Sequence, residues 1–395
     1  MTDVILVLNA GSSSIKFAVY SYVEASGPAL MSGKIVNIGQ RPAFFAFGAD
    51  DVVLPQNKLE QFDDTASHED LIAWLLDWFG HSNQSYNIKC AGHRIVHGGR
   101  HFSRATLLTT SIISQLKALI PLAPLHQPHN LSAIEAVSNW AVQLPQIACF
   151  DTSYHHTQGP LAQMFALPRE WYDKGILRYG FHGLSYEYIA SRLPSYLGKL
   201  AEGRVIVAHL GNGASMCAMQ HRQSVASSMG FTALDGLMMG QRCGSLDPGV
   251  LIHLLRHYKM SIKELEHMLY NESGLLGVSG ISNNMQVLQE SSLPNAKQAI
   301  DLFCYTAAQQ LSSLVSTLNG IDAIVFTAGI GENSAQIRRQ ICERLTWLGV
   351  TLEPSANQRH KSVISDPNSL VKVLIIPTNE ELVIAQATRS LLSTK

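Results

Sequence analysis

The chain opens on an apolar run, Val4 to Leu8, that breaks at Asn9-Ala10-Gly11-Ser12-Ser13-Ser14 and resumes from Ile15 to Tyr20. A short apolar run bounded by Gly and Ser predicts a buried strand, a tight turn and a returning strand. At residues 68–80 (HEDLIAWLLDWFG) the apolar positions recur at helical spacing, and Gly80 reads as the helix stop. Residues 88–96 predict a strand ending in His97-Gly98-Gly99. Residues 111–119 and 130–140 predict helices, and 146–150 a short strand running into Asp151. The pattern then restarts: a strand from Arg204 to Leu210, a turn over Gly211–Ser215, and a strand over Met216–Met219. At an offset of 202 residues, Leu8, Gly11 and Ser13 fall on Leu210, Gly213 and Ser215, which suggests an internal duplication. Ile321–Phe326 predicts a strand, followed by a glycine turn over Ala328–Asn333 and a helix from Ser334. Val371–Ile376 predicts another strand, leading through Pro377–Glu381 into a helix that ends near Leu392. Strands followed by helices throughout predict an α/β protein.

A length of 395 residues exceeds one ordinary core and predicts two domains, with a boundary near residue 150 and the last helix packing back on the first domain. Hydrophobic residues at 46% and charged residues at 15% fit a well-buried globular enzyme. Lys+Arg 29 against Asp+Glu 30 offers no support for a nucleic-acid surface or an anionic membrane, so attraction for a charged ligand must be local. The six cysteines form no CxxC pair and read as buried or free thiols of a reducing compartment. With no basic n-region and no membrane-length apolar stretch, the cytoplasm is the expected location.

Three glycine turns follow apolar strands, at 9–14, 211–215 and 328–333, where backbone N–H groups can face an anion. There is no Walker A loop and no dinucleotide fingerprint with an acidic partner. Phosphoryl transfer needs positive charge around the transferred group, and Arg94 and Arg242 sit beside glycine turns. His93 and His97 share i,i+4 spacing but lie on a strand without the glutamate of a zinc motif. His126 follows the stiff segment Pro121–Leu125, and His182 follows Arg178-Tyr179-Gly180-Phe181. Asp151 sits at the carboxyl end of a strand, where open α/β sheets keep working residues. Taken singly, each has a plainer reading: an ion-paired arginine, a structural histidine, a helix-capping aspartate, and in Glu380 and Glu381 acidic residues on a helix dipole. Together they point to an α/β phosphoryl-transfer enzyme.

The ordered motifs Asn9–Lys16, Gly92–Gly99, Pro121–His126, Phe150–His155, Arg178–Gly183, His209–Ser215, Glu272–Gly277, Gly329–Ser334 and Pro377–Glu381 resemble the acetate kinase family, within the superfamily of sugar kinases, actin and heat-shock ATPases. The resemblance implies two duplicated ribonuclease H-like (actin-like ATPase) domains with an interdomain active-site cleft. These would be residues 1–150 plus 385–395, and a nucleotide-binding and dimerising domain at 151–384. It implies a homodimer, and transfer of the ATP γ-phosphoryl group to acetate to give acetyl phosphate and ADP. Carried over residue by residue, Asn9 and Glu380 match the Mg²⁺ positions, with Mn²⁺ as a substitute. Lys16, the phosphate loop His209, Leu210, Gly211, Asn212 and Gly213, the adenosine segment Asn284, Met285 and Gln286, and the nucleotide loop Gly329, Ile330, Gly331, Glu332 and Asn333 match ATP positions. Arg94, with Val96, Leu125 and Phe181, matches the substrate site. Asp151, His182, Arg242 and His126 match catalytic positions.

Acetate is ionised at neutral pH, so no strong general base is required. The task is to bring an anion to a polyanion, which arginines, imidazoles and a metal ion serve. The chain departs from the family pattern at Gln127, Leu184, Tyr186, Ala233, Asp235 and the loop Met239–Ser245, and Asn284 and Gln286 replace an Asp and an Arg near the adenosine. The last pair leaves the base preference open. Two other readings stand beside acetate: a propionate or short-chain acyl kinase, with Val96 setting the pocket, and an actin-like nucleotide switch without turnover.

Overall fold

The computed structural model describes residues 1–11, 14–24, 27–49, 52–54, 59, 61–82 and 85–393; Ser12 and Ser13 of the first glycine turn lie outside them. The chain divides into two compact units, Met1–Tyr154 with Asn379–Lys395, and His155–Thr378.

The first unit holds β1 (Thr2–Ala10), β2 (Ser14–Ser21), β3 (Met31–Val36), β4 (Ala43–Gly48), β5 (Tyr86–Ile95), β6 (Thr106–Leu107) and β7 (Gln146–Phe150). Their order in the sheet is β4-β3-β2-β1-β5-β7-β6. β1 to β4 form an antiparallel meander, while β1, β5 and β7 run parallel. The run from Val4 to Ala10 is buried at every position, because helices cover both faces of the sheet there. One cover includes the helices His68–Ser82 and Gln127–Trp140, which pack on each other, the second also touching β1 and β5; the other is the C-terminal helix Glu380–Ser393, against β1, β2, β5 and β7. Gly92 of β5 permits that last contact: a Cβ there would lie 2.5 Å from Thr388 Oγ1 and 2.6 Å from Ile384 Cγ2. On the first side Phe17 meets Phe79 edge-on, with ring centroids 5.2 Å apart, and stacks with Phe44 at 6.0 Å.

The second unit holds β8 (Arg204–Leu210), β9 (Ala214–Gln220), β10 (Gln223–Ser227), β11 (Ala323–Thr327) and β12 (Lys372–Ile375), ordered β10-β9-β8-β11-β12. This repeats the path β3-β2-β1-β5-β7: three antiparallel strands, then parallel neighbours added beyond the first strand. The duplication is clearer in topology than in sequence, because the hairpins differ at their tips. Ala10 pairs with Ile15 in one, and Leu210 with Ala214 in the other.

Three local expectations change. Gly80 does not stop its helix, which runs to Ser82, since one glycine costs a helix only about 1 kcal/mol. Asn9 and Ala10 belong to β1 rather than to the turn. Ala328–Asn333 is a helical turn rather than a loop, and Ser334 caps the next helix, Ala335–Glu343, by accepting from the Ile337 N–H.

Among the described residues no helix is long and apolar enough to cross a membrane. All six cysteines are free, and burial pushes the Cys90, Cys217, Cys304 and Cys342 thiols up to about 12.

Candidate active site

In the first unit Asn9, Arg94, Asp151 and Glu380 gather at the carboxyl ends of β1, β5 and β7. Asp151, 1% exposed, is held by Arg94: Nε donates to Oδ1 and Oδ2 at 3.1 Å each, and Nη2 to Oδ2 at 2.5 Å. Arg94 Nη1 donates to Asn9 Oδ1 at 3.2 Å. These bonds leave N–H donors on Nη1 and Nη2 for an incoming anion. Burial works most strongly, against the Arg94 charge, but the charge and hydrogen bonds of Asp151 together with the charges of Glu380 and Glu381 outweigh it and raise the pKa. Burial pushes Glu380 up to about 7; Asp151 and Glu381 push the same way, while Arg94 and Lys16 oppose. Lys16 is exposed and stands opposite Asn9 in the β1–β2 register, so both project from one face of the sheet.

One residue in this cluster, Asn130, carried no sign in the sequence pattern. Asn130, in the first turn of Gln127–Trp140, accepts from the Val96 N–H (2.9 Å) and donates to Ala10 O (2.8 Å), tying the ends of β5 and β1 together. Glu381 accepts from Asn9 Nδ2 at 3.5 Å. Val96 itself is buried, His126 is half-buried at the start of Gln127–Trp140, and Leu125 is 37% exposed.

In the second unit His182, His209 and Arg242 surround the β8–β9 turn. His182 stacks on His209, with centroids 4.2 Å apart and planes 14° from parallel. A Cβ on Gly213 would lie 3.3 Å from His182 Nε2 and 3.9 Å from Arg242 Nη1, so the glycine leaves room where both groups converge. Arg242 is anchored by donation from Nη1 to Ala233 O at 2.9 Å. The Gly240 N–H donates to Asn212 O at 3.0 Å, fixing the β8–β9 turn against the loop that carries Arg242. Phe181 is buried, and its carbonyl accepts from His155 Nε2 at 2.9 Å. Burial lowers His155 to about 4, so its ring is neutral and the carbonyl meets an N–H.

A cavity of about 560 Å³ brings together Gly211, Asn212, Asn284, Met285, Gln286, Gly329, Ile330 and Asn333 from the expected ATP set. Of the second unit's expected ATP residues, His209, Leu210, Gly213, Gly331 and Glu332 do not line it. Leu210 is fully buried and packs against Gly331. The Glu332 carboxylate turns back to accept from the Ala328 N–H (2.7 Å) and the Thr378 N–H (3.1 Å). Arg338, which the sequence pattern did not single out, is fully buried and donates to Gly331 O (2.8 Å), Glu332 O (2.9 Å) and Asn357. Burial lowers its pKa to about 10. A second cavity of about 730 Å³ shares Gln289, Asn333 and Ser334 with the first.

A model of the acetokinase family matches residues 4–386. The chain belongs to the acetokinase family. The acetate kinase of Rhodopseudomonas palustris (strain ATCC BAA-98 / CGA009) is 52% identical over 396 residues, covering 98% of each chain. Among solved structures, a propionate kinase from Francisella tularensis superposes with a TM-score of 0.90 at 35% identity, covering 98% of each chain. The acetate kinase of Porphyromonas gingivalis superposes at 0.86 with 31% identity, covering 99% of this chain and 100% of its own. As an acetokinase the chain is an enzyme, a phosphotransferase, with the two-domain actin-like fold.

Five of its departures from the acetokinase pattern have local explanations. Gln127 is fully buried; it accepts from the His97 N–H (3.3 Å) and donates to His97 O (3.2 Å). Ala233 serves Arg242 through a backbone carbonyl, which any residue supplies. Asp235 pairs with Arg178 at 2.9 Å. Asn284 caps the helix Met285–Glu290 through its side chain, as an aspartate also could, and Gln286 donates to Glu290 at 3.0 Å.

Among the described residues no three His, Cys, Asp or Glu side chains are grouped to hold a metal by themselves. The oxygen donors of Asn9 and Glu380 nonetheless fit Mg²⁺, which binds through one or two carboxylates, substrate phosphates and water. The raised pKa of Glu380 marks a carboxylate whose charge lacks full compensation, and a cation would supply it.

Proposed function

We propose that this enzyme transfers the γ-phosphoryl group of ATP to the carboxylate of acetate, reversibly, giving acetyl phosphate and ADP by direct in-line displacement. The approach of His182 Nε2 and Arg242 Nη1 to the same point beside Gly213 carries the reading. An imidazole and a guanidinium close to one glycine of a phosphate loop suit charge that develops on a transferring phosphoryl group.

On the acid side, Arg94 offers its remaining N–H donors to the acetate carboxylate while Asp151 holds the guanidinium in orientation. Both Asp151 oxygens accept from Arg94, which supports an orienting role over proton abstraction. Mg²⁺, or Mn²⁺ in its place, would be held by Asn9 and Glu380 and would neutralise phosphate charge. Lys16 adds positive charge on the same sheet face as Asn9. On the nucleotide side, the cavity formed by Asn212, Asn284–Gln286, Gly329, Ile330 and Asn333 accepts ATP. Val96, Leu125 and Phe181 are assigned to the acyl group and His126 to the transferred group. In the division of labour we propose, the first unit handles the acid and metal and the second the nucleotide.

Propionate is the second reading. It is favoured by the likeness to the Francisella tularensis propionate kinase and limited by Val96, whose side chain leaves less room than a smaller residue would. Trapping acyl phosphate with hydroxylamine across acetate, propionate and butyrate, with ATP and GTP, tests acceptor and base together. Acetate with ATP should give the largest kcat/KM. Inversion at a chiral γ-phosphorus is expected, and retention would overturn the direct route. The homodimer belongs to the same reading, and sedimentation should give twice the 43.2 kDa of one chain.

A further inference from the structure

Behind the phosphate loop of the second unit lies a buried polar chain that none of the roles above absorbs. Tyr186 OH and Ser215 Oγ are 2.5 Å apart, and Ser215 Oγ is 2.8 Å from His182 Nδ1. Tyr186 and Ser215 are both fully buried. Tyr186 lies one turn beyond His182 on the helix Gly183–Leu197, so the two share a face that Ser215, on β9, meets from the sheet. His182 adopts a left-handed backbone at φ 57°, uncommon for a residue with a Cβ, and that conformation stands it at the helix start with Nε2 beside Gly213.

We propose that Tyr186 is a positioning residue that acts through Ser215 to hold His182 in the tautomer with its proton on Nε2. A serine hydroxyl has one proton to donate. When Ser215 accepts from the Tyr186 phenol and gives its own proton to His182 Nδ1, that nitrogen is bare and Nε2 carries the ring hydrogen. Nε2 is the nitrogen that faces the phosphate loop, so the relay presents a donor there. The opposite tautomer would have Ser215 accept from Nδ1 and turn its own proton away from His182. Burial holds the Tyr186 phenol well above its ordinary value, so it keeps its proton across the working range. The next residue pair repeats the device: Ser185 Oγ lies 2.8 Å from Nδ1 of His209, the ring stacked on His182. The catalytic consequence rests on the phosphoryl-transfer reading, whereas the tautomer does not.

The test combines ¹⁵N-histidine spectra with steady-state kinetics on the full chain. His182 is assigned by the signals lost in His182→Gln. In the unmodified protein its Nδ1 should be bare and its Nε2 protonated. Tyr186→Phe should mix the tautomers and lower kcat about tenfold, with KM for acid and nucleotide nearly unchanged, since the lost interaction acts in the transition state. Ser215→Ala should do the same, and the double variant should be no worse than Ser215→Ala alone. A bare Nε2 in the unmodified protein, or Tyr186→Phe with unaltered tautomer and kcat, would overturn the relay. If Tyr186→Phe does not fold, the unmodified spectrum and Ser215→Ala still decide. A chain that makes no acyl phosphate from any acid defeats the functional reading alone, because the spectra judge the relay without turnover.

Discussion

Arg94 grips Asp151 through Nε and Nη2, and the pair sits where β5 and β7 end side by side. The carboxylate is buried, so its charge is supported by the guanidinium, and the guanidinium is aimed by the carboxylate. Asp151→Asn keeps the shape and removes the charge. We expect kcat to fall about 10²–10³-fold while KM for acetate does not rise, because Arg94 is left with more charge for the substrate. An unchanged kcat would remove Asp151 from the mechanism.

Val96 is 3% exposed, and its backbone is fixed by Asn130. Val96→Ala should therefore enlarge the local space without moving the chain. One methylene changes discrimination by about 1–3 kcal/mol, so the ratio of kcat/KM for propionate over acetate should rise about tenfold or more. A constant ratio would place the acyl group elsewhere.

Glu380 is raised to about 7 from an ordinary 4.5, chiefly by burial. Between those values the folded state holds a proton that the unfolded state has lost, so this group's contribution to stability falls as pH rises through the window. The same proton competes with a cation. Apparent Mg²⁺ affinity, measured by titration calorimetry, should drop up to about tenfold per pH unit below about 7. Glu380→Gln should weaken Mg²⁺ binding and flatten that dependence.

His93, His97 and His155 are buried, and burial lowers each to about 4 from 6.5. Here the sign reverses. The unfolded chain binds protons that the native rings refuse, so stability is fully present above about 6.5 and is lost as pH falls toward 4. Three such rings outweigh one glutamate, and urea midpoints should fall between pH 6.5 and 4. His93→Gln, retaining a donor toward Gln146, should lessen the slope.

Arg338 ties Gly331 and Glu332 carbonyls to Asn357. Lysine cannot reproduce that fork. Arg338→Lys should raise KM for ATP several-fold with KM for acetate unchanged; equal rises in both would indicate a general loss of structure instead.

The sequence by itself determined the α/β class, the repeated strand–turn–strand unit and the order of the charged residues, because alternation, glycine turns and strand ends are local. It indicated Arg94, His182 and Arg242 as charge-neutralising groups and Asp151 as a working residue at a strand end, but not what each one touches. Only the tertiary structure decided that Arg94 is shared between Asp151 and Asn9, that Glu332 faces its own backbone, and that Tyr186 meets His182 through Ser215. Those outcomes depend on strands and helices far apart in the chain. Gly92 admits the C-terminal helix and so brings Glu380 to Arg94, and β9 carries Ser215 to a helix begun more than a strand earlier. A hydrogen bond needs its partners within about 3 Å, and neither local propensity nor spacing along the chain specifies which distant residue will be there.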